Sequence, residues 1–211
     1  GTVTKGMKKV IDDALDFSVK QSMSMFYEMK DQKGILPRTA ENGKMITCES
    51  AWWTSGFYPG TLWYCYEYSN DPQIRAAAEE MTSRVEKQKY TTSNHDVGFI
   101  INCSFGNGYR LTHNETYRKV IETAAKSLST RFHPVTGCTR SWNSKKWQFS
   151  VIIDNMMNLE LLNVASSLTG DNTYYNMAKS HADRTMINHF RPDGSLSLIH
   201  ISEPTRPRLI S

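Results

Sequence analysis

The feature that most constrains the fold is a repeated pairing of an apolar segment with a polar one. Three polar segments open on Asp71, Asn114 and Asp171, and each then carries polar or charged residues around most of a helix. Asp and Asn are favoured helix N-caps because their side-chain oxygen accepts a hydrogen bond from the first free backbone N–H groups. We interpret these segments as outer helices that face solvent.

Each polar segment is preceded by a segment rich in aromatic residues, Met, Gly and Leu. These apolar segments span residues 56–68, 97–109 and 155–168. A helix that is apolar nearly all round is a buried helix. The alternation of buried and exposed helices at a spacing of several tens of residues predicts stacked helical hairpins, in a solenoid or a closed ring.

An earlier amphipathic stretch, between Lys5 and Lys30, predicts one further helix with Val10 and Phe17 on its apolar side. No segment has the pattern of a convincing pair of strands. The predicted fold class is therefore all-α.

Composition excludes several kinds of partner. Lys and Arg total 25 against 21 Asp and Glu, and no run of five like charges occurs, which argues against a nucleic-acid partner. The longest apolar runs fall far short of the ~20 residues that a membrane-spanning helix needs, so no membrane partner is expected. The four cysteines are far apart and lack zinc-site spacing, which indicates buried thiols.

Two acids occupy equivalent positions in the repeat. Asp96 lies 18 residues before Asn114, and Asp154 lies 17 residues before Asp171, each at the start of a buried segment. Because the inner helices of a ring run parallel, their N-termini meet on one rim, and both carboxylates are expected to face one pocket. Two carboxylates in different environments can divide proton donation and water activation between them.

These acids also have a purely structural interpretation. Asp is a favoured N-cap, so an acid at a helix start needs no catalytic purpose. The third equivalent position holds Thr54, 17 residues before Asp71. His95, beside Asp96, either orients a substrate or caps the loop, and the residues alone leave both open.

Aromatic residues cluster near the same rim of the predicted ring. Trp52 and Trp53 precede the first buried segment, and Arg140, Trp142 and Trp147 precede the third. Indole rings stack on the apolar faces of sugars, and Arg can hold a carboxylate through two parallel hydrogen bonds. Each Trp also has a plain alternative as a core residue.

Four motifs carry a family resemblance in their order along the chain: Trp53-Thr54-Ser55-Gly56-Phe57-Tyr58-Pro59-Gly60, His95-Asp96-Val97-Gly98-Phe99, Ile153-Asp154-Asn155-Met156-Met157-Asn158-Leu159 and Arg191-Pro192-Asp193-Gly194-Ser195. Together they resemble the motifs of the unsaturated glucuronyl hydrolases, glycoside hydrolase family 88. The resemblance runs through nearly all of residues 20–196. It implies an (α/α)6 toroid of helical hairpins.

The resemblance also implies a reaction and its residues. Members of this family hydrate the C4=C5 double bond of unsaturated uronyl oligosaccharides left by polysaccharide lyases. Asp154 would be the general acid and base, and Asp96 the second essential carboxylate. Trp53, His95 and Trp142 would contact the substrate, an unsaturated glycosaminoglycan-type oligosaccharide. No metal or organic cofactor is implied.

The resemblance sets expectations for the domain organisation. About seven of the family's twelve helices are expected, so residues 1–196 would form a partial catalytic domain that is weak or inactive alone. Residues 197–211 follow neither a helical nor a strand period and resemble a translated sequencing artefact. The family is bacterial, and both periplasm and cytoplasm are open.

Competing functions come from different classes. An unsaturated rhamnogalacturonyl hydrolase shares the toroid and the chemistry, but the His95–Phe99 motif argues against it. A non-catalytic glycan-binding helical repeat would use the aromatic residues for sugar and the acids only as caps. A sugar epimerase would need a pair of catalytic histidines in the cavity, and no convincing pair is found.

Overall fold

A computed structural model describes residues 4–197 and the backbone of residues 199–201. The α-helices are α1 (Lys5–Met29), α2 (Phe57–Ser69), α3 (Pro72–Ser83), α4 (Val97–Ile101), α5 (Asn107–Thr112), α6 (Glu115–Ser129), α7 (Asn155–Asn158), α8 (Glu160–Thr169) and α9 (Asn172–Asn188). A π-helical turn, Asn102–Gly106, joins α4 to α5, and α7 runs on through Leu159 into α8. The described chain therefore has seven long helical segments, as predicted.

The predicted alternation of inner and outer helices is confirmed. The inner segments are α2, α4–α5 and α7–α8, and their hairpin partners are α3, α6 and α9. Asp71, Asn114 and Asp171 cap the outer helices, accepting from the backbone N–H groups two residues on at 2.8–2.9 Å. The main core lies between the inner and outer layers and includes Ile101, Phe105, Ile121, Leu128 and Leu162, all buried.

The prediction that no strand pair forms is wrong for the segment after α1. Strands β1 (Ile35–Glu41) and β2 (Lys44–Glu49) form an antiparallel hairpin. Asn42 and Gly43 make its two-residue turn, with φ of 50° and 74°. Asn-Gly favours such turns because both residues tolerate positive φ. Burial in the hairpin does not alternate along β1, where Leu36 is buried but the residues from Arg38 to Glu41 are all exposed, so the usual period-2 signal of a strand is absent.

Shorter antiparallel pairs lie near the inner helix ends. Strand β3 (Phe132–His133) pairs with β4 (Cys138–Thr139), and β5 (Ser150–Ile152) pairs with β6 (Ile199–Ile201). Both β4 and β5 precede α7 in the chain. They therefore shape the loop that leads into the third inner helix.

Helix α1 forms where it was predicted, but its apolar side is only partly covered. Val10 and Phe17 are each 63% exposed. The C-terminal end of α1 packs instead, since Met29 is buried against Leu62 and Trp63 of α2.

Further expectations concern the cysteines, the membrane and the tail. Cys65 and Cys138 are buried as predicted, whereas Cys48 and Cys103 are only half-buried. Over the described residues, every helix is too short or too polar to cross a membrane. Of the predicted tail at 197–211, residue 198 and residues 202–211 lie outside the described residues. The division of the chain at residue 196 therefore stays a prediction.

Candidate active site

Asp96 and Asp154 lie at the N-termini of the inner helices α4 and α7, as the repeat predicts. Their backbones are already helical, with φ of −66° in each, and in residues 4–197 neither carboxylate makes a capping hydrogen bond. True N-caps have extended backbone, as Asp71 and Asp171 do. The interpretation of Asp96 and Asp154 as helix caps is therefore wrong, and their carboxylates are available for another role.

The third equivalent position departs from this pattern. Thr54 lies in a turn three residues ahead of α2, which begins at Phe57. Its hydroxyl is buried, with no hydrogen-bond partner among the described residues. The first inner helix therefore contributes no carboxylate to the rim.

His95 brings the two acids together. Its Nε2 lies 3.5 Å from Oδ1 of Asp96 and 3.7 Å from Oδ2 of Asp154. The imidazole is 2% exposed, and the side chains of Asp96 and Asp154 are 22% and 37% exposed. The structure thus places both acids around one buried ring, and the His95 side chain faces the acids.

Burial sets the charges of this group. It lowers the pKa of His95 to about 4, so the imidazole is neutral at pH 7. Burial, and then the charge of Asp154, raise the pKa of Asp96 to about 6, and burial also raises the pKa of Asp154. The two carboxyls therefore keep one proton at a higher pH than isolated acids would. Because their titrations are coupled, this proton is shared by the pair and is not assigned to either residue.

Arg131 supplies a positive charge that the sequence reasoning missed. Its guanidinium is buried and donates to the carbonyl oxygens of Arg140 and Thr92 at 2.8 and 2.6 Å. Among the described residues it forms no ion pair within 4.0 Å. The Arg131 charge lowers the pKa of Asp96 and partly opposes the effect of burial. Arg131 lies between a helix and a strand pair. That position carries no sequence signal of a role in the site, so sequence reasoning could not have identified Arg131.

Short strands and loops hold the site from behind. The backbone N–H of His95 donates to the carbonyl of Ser141 at 2.8 Å. An isolated antiparallel bridge pairs Asn94 with Trp142. The loop before α7 therefore fixes the backbone of the loop before α4, which is why His95 and Asp154 meet.

The predicted aromatic residues have different surroundings. Trp53 is 43% exposed and packs against Phe57 and Phe99, with ring centroids 5.8 and 6.2 Å apart. Phe99 is in α4, which Asp96 precedes, so Trp53 lies on the same rim as the acids. Trp142 is half-buried, and its backbone is bridged beside His95.

The remaining predicted rim residues have contacts of their own or lack a partner, and none of these contacts is with the two acids. Arg38 covers Trp52, with the guanidinium carbon 3.9 Å from the ring centroid. Lys146 stacks on Trp147 at 4.8 Å. Nε of Arg140 is buried, with no hydrogen-bond partner in the described part of the chain.

The same three residues also form a possible metal-binding group. Ligand atoms of His95, Asp96 and Asp154 all lie within 4.8 Å of one another. A cation there would compete with the proton that the two carboxyls share. That the site works without metal stays a prediction.

Comparisons with known proteins place this geometry in a family. No family model matches the chain. The unsaturated glucuronyl hydrolase of Formosa agariphila is 46% identical over 147 residues, covering 68% of this chain and 37% of the relative. The unsaturated chondroitin disaccharide hydrolase of Streptococcus pyogenes is 33% identical over 192 residues, covering 88% and 47%. This chain thus spans less than half the length of these curated relatives.

A solved structure gives the same result for the fold. The crystal structure of an unsaturated glucuronyl hydrolase specific for heparin superposes with a TM-score of 0.84 at 38% identity, covering 92% of this chain and 53% of that one. The fold is therefore that of part of a helical toroid with a carboxylate pair at its inner helix ends. Within that class, the chain is a homologue of the unsaturated glucuronyl hydrolases and corresponds to about half of one.

Proposed function

We propose that these residues form the acid-bearing part of an enzyme that hydrates the C4=C5 double bond of an unsaturated uronyl residue. The observation that carries the proposal is the group of Asp96, Asp154 and neutral His95, in which neither acid serves as a helix cap. Protonating an enol ether needs a carboxyl that is still protonated near neutral pH. The raised pKa of Asp96, to about 6, supports such a proton donor in the pair.

Asp154 is the better candidate for contact with the reacting atoms. Its side chain is 37% exposed against 22% for Asp96. In the proposed reaction Asp154 gives its proton to C4, and its carboxylate then takes a proton from the water that adds at C5. The resulting hemiketal opens and releases the shortened sugar. Asp96, deeper in the site, shares the single proton of the pair with Asp154, so that Asp154 carries it when C4 is protonated, and Asp96 also positions the substrate.

The substrate class follows from the rim and from the relatives. Trp53 offers an exposed indole face for stacking against the unsaturated ring, and Trp142 lies in the loop before α7, paired with Asn94. Among the relatives, one is named as specific for heparin and another as acting on an unsaturated chondroitin disaccharide. We therefore propose an unsaturated glycosaminoglycan-type disaccharide as substrate.

The test is loss of the ultraviolet absorbance of the conjugated double bond. Unsaturated disaccharides from chondroitin and from heparin are incubated with this chain. They are also incubated with a protein of full family length that contains these residues. An unsaturated rhamnogalacturonan disaccharide is the third arm. The expected result is turnover of a glycosaminoglycan product by the full-length protein, with less by this chain.

Other outcomes would reject the proposal. Sugar binding without any loss of absorbance would indicate a non-catalytic glycan-binding repeat. Turnover confined to the rhamnogalacturonan product would indicate the pectin-directed relative. A saturated disaccharide controls for absorbance changes that arise from binding alone.

A further inference from the structure

His181 of α9 is a buried histidine on an outer helix, and the proposed reaction does not use it. It is completely buried, and its Nδ1 accepts a hydrogen bond from the backbone N–H of Thr139 in β4 at 2.9 Å. A backbone N–H only donates, so Nδ1 carries no proton. Burial also lowers the pKa of His181 to about 4, so the ring is neutral at pH 7 and its one proton lies on Nε2.

The same strand residue is also bonded to the acid-bearing helix α7. The carbonyl oxygen of Thr139 accepts from Nδ2 of Asn155 at 2.7 Å, and both residues are completely buried. Asn155 is the first residue of α7 and directly follows Asp154. The two hydrogen bonds of Thr139 therefore join the outer helix α9 to α7, at the residue beside Asp154.

The chain that follows Thr139 holds the other side of the site. Ser141 is completely buried, and its carbonyl oxygen accepts from the backbone N–H of His95 at 2.8 Å. Its Oγ accepts from the backbone N–H of Ile152 in β5 at 3.0 Å. Segment 139–141 is thus a common support for the loop before α4 and for the start of α7.

We propose that His181 is a positioning residue that fixes segment 139–141 and, through it, the places of Asp154 and His95 in the site. Without an acceptor at Nδ1, the N–H of Thr139 would be buried and unpaired, and the segment would have to shift to satisfy it. A misplacement of about 1 Å in an active site can lower a rate by ~10²-fold. The inference rests on the proposed function for this effect on the rate.

The hydrogen bond itself is measurable without substrate. The chain is labelled with 15N, and the ring signals of His181 are assigned from their absence in the His181→Asn variant. At pH 7.5 we expect an unprotonated Nδ1, a protonated Nε2 and a Thr139 amide that is protected from hydrogen exchange. A proton on Nδ1 in the unsubstituted chain would overturn the inference, whether or not any variant folds.

Two substitutions of His181 separate the acceptor from the bulk of the ring. His181→Leu removes the acceptor, whereas His181→Asn keeps an acceptor oxygen at about the place of Nδ1. In His181→Leu the Thr139 amide should exchange at least roughly tenfold faster, and the side-chain amide signals of Asn155 should shift. In His181→Asn both should return towards those of the unsubstituted chain. Unchanged Thr139 and Asn155 signals in a folded His181→Leu chain would contradict the proposal.

Thr185→Val is the matched control on the same helix. Thr185 is buried in α9, and its hydroxyl donates to the carbonyl oxygen of His181 at 3.0 Å, within the helix. The variant therefore loses a buried hydrogen bond of α9 that does not reach β4. The Thr139 and Asn155 signals should stay in place, and a shift equal to that in His181→Leu would indicate a general loosening of α9 instead of positioning by His181.

A kinetic readout tests the catalytic consequence in a full-length protein. His181→Leu should lower kcat by roughly tenfold to ~10²-fold, with a smaller change in KM, because Asp154 is misplaced while Trp53 packs on aromatic residues of other inner helices. His181→Asn should recover most of kcat, and Thr185→Val should leave it near that of the unsubstituted enzyme.

The outcomes separate this inference from the proposed function. Equal losses of kcat in His181→Leu and Thr185→Val, or no rescue by a folded His181→Asn, would overturn the positioning role. Absence of turnover in the unsubstituted enzyme would reject the proposed function alone. Turnover together with a proton on Nδ1 of His181 would reject this inference alone.

Discussion

Gly98 of α4 lies directly against the backbone of Asn158 in α7. A β-carbon on Gly98 would overlap the carbonyl oxygen of Asn158 and lie 2.6 Å from its Cα. Gly56 stands in the same relation to Ile100, at 2.7 Å from that Cα. Neighbouring inner helices therefore approach closely near their N-terminal ends, which is where the acids lie.

The first prediction concerns this close approach. Gly98→Ala should destabilise the fold by about 1–3 kcal/mol, because the added methyl group meets backbone that has no room to move aside. It should also lower activity, since separating α4 from α7 separates Asp96 from Asp154. The control is Gly6→Ala in α1, where nothing lies within 4 Å of the new atom. Urea unfolding measures the stability of both variants, and equal stabilities would contradict this packing.

The second prediction concerns the acids themselves. In a full-length protein, Asp154→Asn should lower kcat by ~10²–10⁴-fold, as expected when a general acid and base is lost. Asp96→Asn should lower kcat as well, because the pair then has a single ionisable group. Asp171→Asn is the matched control, an outer acid that caps a helix, which Asn can also do. Near-normal turnover by Asp154→Asn would exclude it as the proton donor.

The third prediction is a pH-dependent gain in stability for Asp96→Asn. The pKa of Asp96 is raised from 3.8 to about 6 in the folded state. The contribution of this carboxyl to the free energy of unfolding is therefore complete below about pH 4 and is lost as pH rises through about 6. Asn does not ionise and avoids this loss. The variant should therefore gain up to about 3 kcal/mol over the unsubstituted chain on going from about pH 4 to about pH 7.5.

The comparison removes the opposite contribution of the histidines. The pKa of His95 and of His181 is lowered to about 4. Their contributions to the free energy of unfolding are therefore present above about pH 6.5 and are lost as pH falls towards 4. These terms are largely common to both chains. A difference in unfolding free energy that stays constant across this pH range would contradict the burial of the Asp96 carboxyl.

The fourth prediction separates two adjacent tryptophans. Trp53→Ala should raise KM roughly tenfold, corresponding to about 1.4 kcal/mol, with little effect on kcat, because its indole is exposed on the acid-bearing rim. Trp52→Ala is the control, since Trp52 is similarly exposed but lies under Arg38. Steady-state kinetics with an unsaturated disaccharide measures both, and equal KM changes would argue against stacking on Trp53.

The helical repeat was predictable because its signals are local. Caps such as Asn114 lie beside the helices that they begin, and the apolar character of 97–109 is visible within one segment. The β1–β2 hairpin was missed, although Asn42-Gly43 was a usable signal for its turn. The second half of β1 is exposed throughout and the strand contains Pro37, while β2 is half-buried along most of its length, so the alternation that usually identifies a strand is weak.

The sequence by itself determined that Asp96 and Asp154 begin inner helices, because position in a repeat is a local property. It left open whether they cap those helices, and tertiary structure decided that they do not. The cluster depends on the Gly98–Asn158 contact, on the Ser141 segment that holds His95 and on the buried charge of Arg131. These contacts join residues far apart in the chain, and the desolvation that shifts the pKa of Asp96 exists only once those parts have packed together.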